Sequence, residues 1–103
     1  MTKQLTTETF AKEIESGVTL VDFGATWCPP CQMMEPIVEE LAQEFEGRAS
    51  VTKVDVDQSP ELAQLFNVRS IPTIVLFKDG QPVDATLGVQ SKKVLSEKIS
   101  SQL

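Results

Sequence analysis

The chain has 103 residues, 41% of them hydrophobic and 23% charged, proportions that exclude a disordered or fibrous protein and fit one domain burying roughly two thirds of its unfolded surface. Fifteen acidic against nine basic residues leave a net charge of -6, which repels a phosphate backbone instead of neutralising it and excludes nucleic acid as the expected partner. The chain has no histidine, so Cys-His nucleophiles and most zinc hydrolase sites are closed to it.

The start, MTKQLTTETF, lacks the apolar run of a secretory signal, and no apolar stretch approaches the roughly 18 residues that span a bilayer. The cytosol is the expected compartment, with no membrane association. Thr7 is placed to cap a first helix whose apolar positions are Phe10, Ala11 and Ile14, and Gly17 ends it. Residues 18–23, VTLVDF, form the β-branched apolar run of a parallel strand covered on both faces.

After WCPPC, residues Met34, Ile37, Val38, Leu41, Ala42 and Phe45 recur with helical spacing and predict a long helix that stops at Gly47, kinked at Pro36. Residues 50–56 read as a second strand, and Ser59-Pro60 as the cap and first turn of a short helix to about Phe66. Strand, helix and strand at this spacing form a parallel, right-handed βαβ unit. Residues 73–78, the turn Asp79-Gly80 and a strand near 82–88 predict an antiparallel hairpin. Ser91 opens a last helix with Val94, Leu95 and Ile99 inward. With no repeat or linker, residues 1–103 are expected to form a single α/β domain, a mixed sheet with helices on both faces.

Both cysteines lie in Trp27-Cys28-Pro29-Pro30-Cys31, where the first parallel strand hands over to the long helix. Open α/β sheets place their chemistry at such carboxyl ends of strands. Three chemistries compete. A permanent crosslink would close a very short loop, contributes only about 2 kcal/mol and is disfavoured in a reducing cytosol. Zinc requires four Cys or His ligands and would need a second chain, so no metal is expected. A reversible dithiol couple fits best. Cys28 then becomes the helix N-cap, with Pro29 and Pro30 at N1 and N2, where a missing N–H costs little. The helix dipole and the Cys31 N–H favour a thiolate at Cys28. Cys28 is therefore expected as the exposed nucleophile and Cys31 as the resolving thiol.

VDFGATWCPPC, the helix carrying Pro36, KVDVD at 53–57, SIPTIVLFKDG at 70–80 and LGV at 87–89, in this order and spacing, resemble the thioredoxin family along essentially the whole chain. Three positions depart from that pattern. Pro29 stands where glycine is usual, Gly24 where many members carry a second tryptophan, and Gln32 where lysine is common. The resemblance implies a thioredoxin fold. It also implies that Asp22 is the buried carboxylate accepting the resolving cysteine's proton, and that Lys53 on the neighbouring strand tunes it. Burial without a partner raises a carboxyl pKa, which suits that task near neutral pH. Ile71-Pro72 resembles the cis-proline loop facing the active site; Trp27 and Gly88, with Pro29 and Pro30, match the substrate surface.

The activity implied is reduction of protein disulfides by thiol exchange, without a bound cofactor, in a monomer re-reduced by an NADPH-dependent flavoprotein thioredoxin reductase. Two other readings share the fold: a binding or chaperone-like module whose cysteines do not turn over, and a more oxidising exchanger.

Overall fold

The computed structural model describes residues 2–103. Its elements run β1 (Lys3–Leu5), α1 (Phe10–Ile14), β2 (Val18–Gly24), α2 (Pro29–Glu44), β3 (Ser50–Asp55), α3 (Pro60–Leu65), β4 (Thr73–Lys78), β5 (Gln81–Leu87) and α4 (Lys92–Gln102). The five strands form one sheet in the order β1-β3-β2-β4-β5. β3 lies parallel to both β1 and β2, whereas β4 runs antiparallel to β2 and β5.

The β2-α2-β3 unit is the predicted parallel crossover. The β4-β5 connection is the predicted two-residue turn: Asp79 (φ 49°) and Gly80 (φ 86°) both take the left-handed region and set Lys78 opposite Gln81. Two positive φ values in succession give the turn whose twist matches paired strands, which is why an Asp-Gly pair works there.

Alternation along the central strand sends side chains to two separate cores. Val18 and Leu20 of β2 pack with Met34, Val38, Leu41 and Phe45 of α2 and with Leu95 and Ile99 of α4. Val21 and Phe23 point to the other face, against Phe10, Ile14, Leu62 and Phe77. There the Phe66 ring meets Phe10 and Phe77 at 5.2 Å each, and truncating a buried phenylalanine such as Phe77 to alanine would cost about 3–5 kcal/mol.

Several expectations are corrected. Strand β1 was not foreseen, because three residues with one buried apolar side chain carry no periodic signal. Thr7 is not a cap: the helix starts at Phe10, Thr6 accepts from the Phe10 N–H, and Thr7 Oγ1 donates to Glu61 instead. Ser59 stands at the N-cap of α3 but makes no capping hydrogen bond. Val94 is 37% exposed, not inward, since Leu95 and Ile99, one turn apart, fill the contact face of α4. The expectation that Pro36 falls within the long helix holds: it lies inside α2, Pro29–Glu44.

Candidate active site

Strand β2 ends at Gly24, and residues 25–27 turn the chain from the sheet into α2. The Cys28 N–H donates to the Ala25 carbonyl (3.3 Å) and Gln32 Nε2 donates to the Thr26 carbonyl (2.8 Å), tying the turn to the first turn of the helix. Cys28 is the N-cap, with extended backbone (φ -93°, ψ 112°) and prolines at the first two helical positions. Both prolines are exposed.

With Pro29 and Pro30 unable to donate, the first free helix N–H belongs to Cys31, and it donates to Cys28 Sγ at 3.3 Å. The first turn of α2 contains no acidic residue, so no charge within that turn offsets the positive end of the helix dipole at that sulfur. The two sulfurs form a disulfide, with Cα atoms 5.2 Å apart, inside the range such bonds require.

Exposure does not separate the two cysteines as expected. Cys28 is 4% exposed and Cys31 is 6%, because the pair packs with Ala25, Val56 and Ile71. The asymmetry between them lies in hydrogen bonding and surroundings: Cys28 has the N-cap and the Ile71 carbonyl, 4.0 Å from its sulfur, whereas Cys31 borders a cleft that several charged side chains line.

That cleft, about 60 Å³, is lined by Asp22, Gly24, Cys31, Glu35, Lys53 and Asp55 among others. Asp22 is 7% exposed, and its Oδ1 accepts no hydrogen bond from the described residues. Burial pushes its carboxyl up to about 7, with the Lys53 charge opposing the rise and the Glu35 charge adding to it. Lys53 is the direct β3 partner of Asp22 in the sheet, so the parallel register alone brings the two together. Gly24 keeps this region open: a Cβ there would lie 3.2 Å from Cys31 Sγ and 3.9 Å from Asp22 Oδ1.

On the opposite side, the Ile71-Pro72 bond is cis and Pro72 is buried. The Gly88 N–H donates to the Pro72 carbonyl at 2.8 Å, so the end of β5 meets the loop beside Cys28. Trp27 is 66% exposed and its Nε1 donates to Asp57 at 2.7 Å, which makes it a surface ring held in place and not a core residue.

The residues predicted for the site fall into two groups on either side of the cysteine pair in the contacts they make. Asp22 and Lys53 share a cleft with Cys31; Ile71 packs against the cysteine pair, Trp27 and the two prolines adjoin Cys28 in the chain, and Gly88 is tied to that loop through the Pro72 carbonyl. Sequence reasoning missed Glu35 and Asp57. For Glu35 a signal existed, since it follows Cys31 by one helical turn on α2; for Asp57 there was none.

Three comparisons bear on kinship. A family model described as Thioredoxin matches residues 1–101. The thioredoxin of Staphylococcus aureus strain Mu50 is 50% identical over 100 residues, 97% of this chain and 96% of that protein, and those of strains MW2 and N315 match equally. A solved mutant thioredoxin from Halobacterium salinarum NRC-1 superposes with a TM-score of 0.89 at 40% identity, covering 97% of this chain and 88% of that one. The strand-to-helix dithiol, the sheet order and these matches agree: this chain belongs to the thioredoxin family and is a thiol-disulfide oxidoreductase.

Proposed function

We propose that this single domain reduces protein disulfides with distinct tasks for its two cysteines. The observation that carries the assignment is the Cys31 N–H donated to Cys28 Sγ at a helix N-terminus whose first turn holds no acidic residue. A hydrogen bond and a dipole that favour the charged form lower a thiol pKa and leave Cys28 as the thiolate.

Cys28 attacks one sulfur of a substrate disulfide. The substrate's S–S bond breaks, its other sulfur leaves as a thiolate, and a mixed disulfide with Cys28 forms. Asp22 then takes the proton from Cys31, whose thiolate attacks Cys28 Sγ and expels the second substrate sulfur. The substrate has gained two electrons and the protein is left with the Cys28–Cys31 disulfide. Lys53 moderates the proton affinity of Asp22. Trp27, Pro29, Pro30, Ile71, Pro72 and Gly88 form the face on which the substrate chain rests; the Ile71 carbonyl beside Cys28 suits backbone pairing with an extended segment.

The electron donor is an NADPH-dependent flavoprotein thioredoxin reductase, in keeping with the family, and the protein acts as a cytoplasmic monomer. No helix among the described residues is long and apolar enough to cross a membrane. Insulin reduction with NADPH and a bacterial thioredoxin reductase tests the reading. NADPH consumption coupled to insulin precipitation is expected. An oxidised protein that the reductase leaves oxidised, or a reduced one that leaves insulin intact, refutes it.

A further inference from the structure

The Asp22 carboxylate is approached by charge from two elements. Lys53 and Asp55 lie on β3, and Glu35 lies on α2 one turn beyond Cys31; all line the same cleft. A second, wider opening beside it is again lined by Asp22, Glu35 and Lys53, together with Thr2 and Glu39. Glu39 is engaged at its far side, accepting from the Thr2 N–H at 3.1 Å. The β4 residue opposite Asp22 is the apolar Ile74, and the cleft's β1 member is the uncharged Gln4. Among the described residues the side chains of Glu35 and Lys53 form no hydrogen bond or ion pair, and both line the cleft that holds Asp22. Gly24 places no side chain between them and Cys31.

We propose that Glu35 is a positioning residue for the resolving step, the counter-charge that offsets Lys53 across the Asp22 cleft and sets the pH range over which Asp22 serves as proton acceptor for Cys31. The proposal rests on Asp22 being that acceptor. Its physical basis is the sign of each neighbour. A cation at Lys53 favours the ionised aspartate and weakens it as a base, while an anion at Glu35 does the opposite. Removing Glu35 therefore makes Asp22 ionise at lower pH, earlier but as a weaker base. The Glu35 charge is exposed, so its reach is moderated by solvent and fades with salt.

The test is a 13C NMR titration of the Asp22 carboxyl in reduced wild type, Glu35→Gln, Glu35→Lys and Lys53→Gln, paired with single-turnover resolution rates. The Asp22 midpoint is expected to fall by roughly half a pH unit in Glu35→Gln, further in Glu35→Lys, and to rise in Lys53→Gln, each shift shrinking in 1 M salt. Resolution by Glu35→Gln should be about twofold faster than wild type at pH 6 and no faster at pH 8, and Glu35→Asp should restore the wild-type profile. An unshifted Asp22 midpoint in Glu35→Gln overturns the proposal and leaves the role of Asp22 standing. Asp22→Asn protein that resolves at the wild-type rate overturns the role of Asp22 itself, and the proposal with it.

Discussion

The backbone N–H of Cys31 points at the sulfur of Cys28 from 3.3 Å because Cys28 caps the helix in which Cys31 occupies the third position. One short local geometry thus makes two chemically similar residues unequal, although both are buried. Cys31→Ser protein is expected to accumulate as a mixed disulfide with insulin through Cys28, whereas Cys28→Ser protein accumulates little. Mass spectrometry of the trapped adducts reads this directly. Trapping by Cys28→Ser in place of Cys31→Ser would reverse the nucleophile and the resolver.

Asp22 also ties stability to pH. Its folded carboxyl sits at about 7 against 3.8 for an unstructured aspartate. Between those values the folded protein keeps a proton that the unfolded chain gives up, so stability falls as pH rises through that window and levels off above it. A difference of about three units corresponds to roughly 4 kcal/mol at most. Asp22→Asn should accordingly be more stable than wild type by a few kcal/mol at pH 8, with the gap largely closed near pH 4. Urea melts at the two pH values check this; equal gaps at both would contradict the burial cost.

Trp27 is anchored at its Nε1 by Asp57 but leaves two thirds of its surface in solvent. Truncation to alanine should leave urea stability within about 0.5 kcal/mol, as exposed sites do. Loss of a contact aromatic commonly costs at least about 1 kcal/mol of binding, so KM for a protein disulfide should rise about fivefold or more while the resolution rate holds. A stability loss without a KM change would place the ring in the fold and not on the substrate face.

Pro29 and Pro30 fix two φ angles at the start of α2, so the reduced loop already holds its sulfurs close together. Pro29→Gly returns freedom to the reduced state. In an unfolded chain such a change is worth somewhat over 0.4–1 kcal/mol, and less within a folded loop. The midpoint potential should therefore rise by at most about 20 mV, equilibrated against a dithiothreitol buffer. A fall in potential would show that loop entropy is not the governing effect.

Much of this protein is written in local pattern. The apolar, β-branched run of β2, the helical spacing from Met34 to Phe45, and the Asp79-Gly80 turn each act within one element or between adjacent ones. Their geometry follows from backbone periods of two and about 3.6 residues and from left-handed turn positions. The same locality explains why Cys28 could be placed at the N-cap: a strand, a short turn and a proline pair determine it without help from the remaining chain. The kinship was equally legible, because its motifs are short and fixed in order.

Tertiary structure alone decided how those pieces meet. Strand β1 exists because β3 offers it a free edge, not because Lys3–Leu5 prefer to be extended. Val94 faces outward because α4 has room for one row of contacts, which Leu95 and Ile99 fill. Cys28 lost its expected exposure to Ala25, Val56 and Ile71, which converge from separate segments. The pairing of Asp22 with Lys53 depends on parallel register, and the approach of Glu35 on how α2 lies over the sheet. A sequence period specifies which side of an element is apolar; the distance from that side to a charge on another element is set only when the chain closes its long loops and the layers pack.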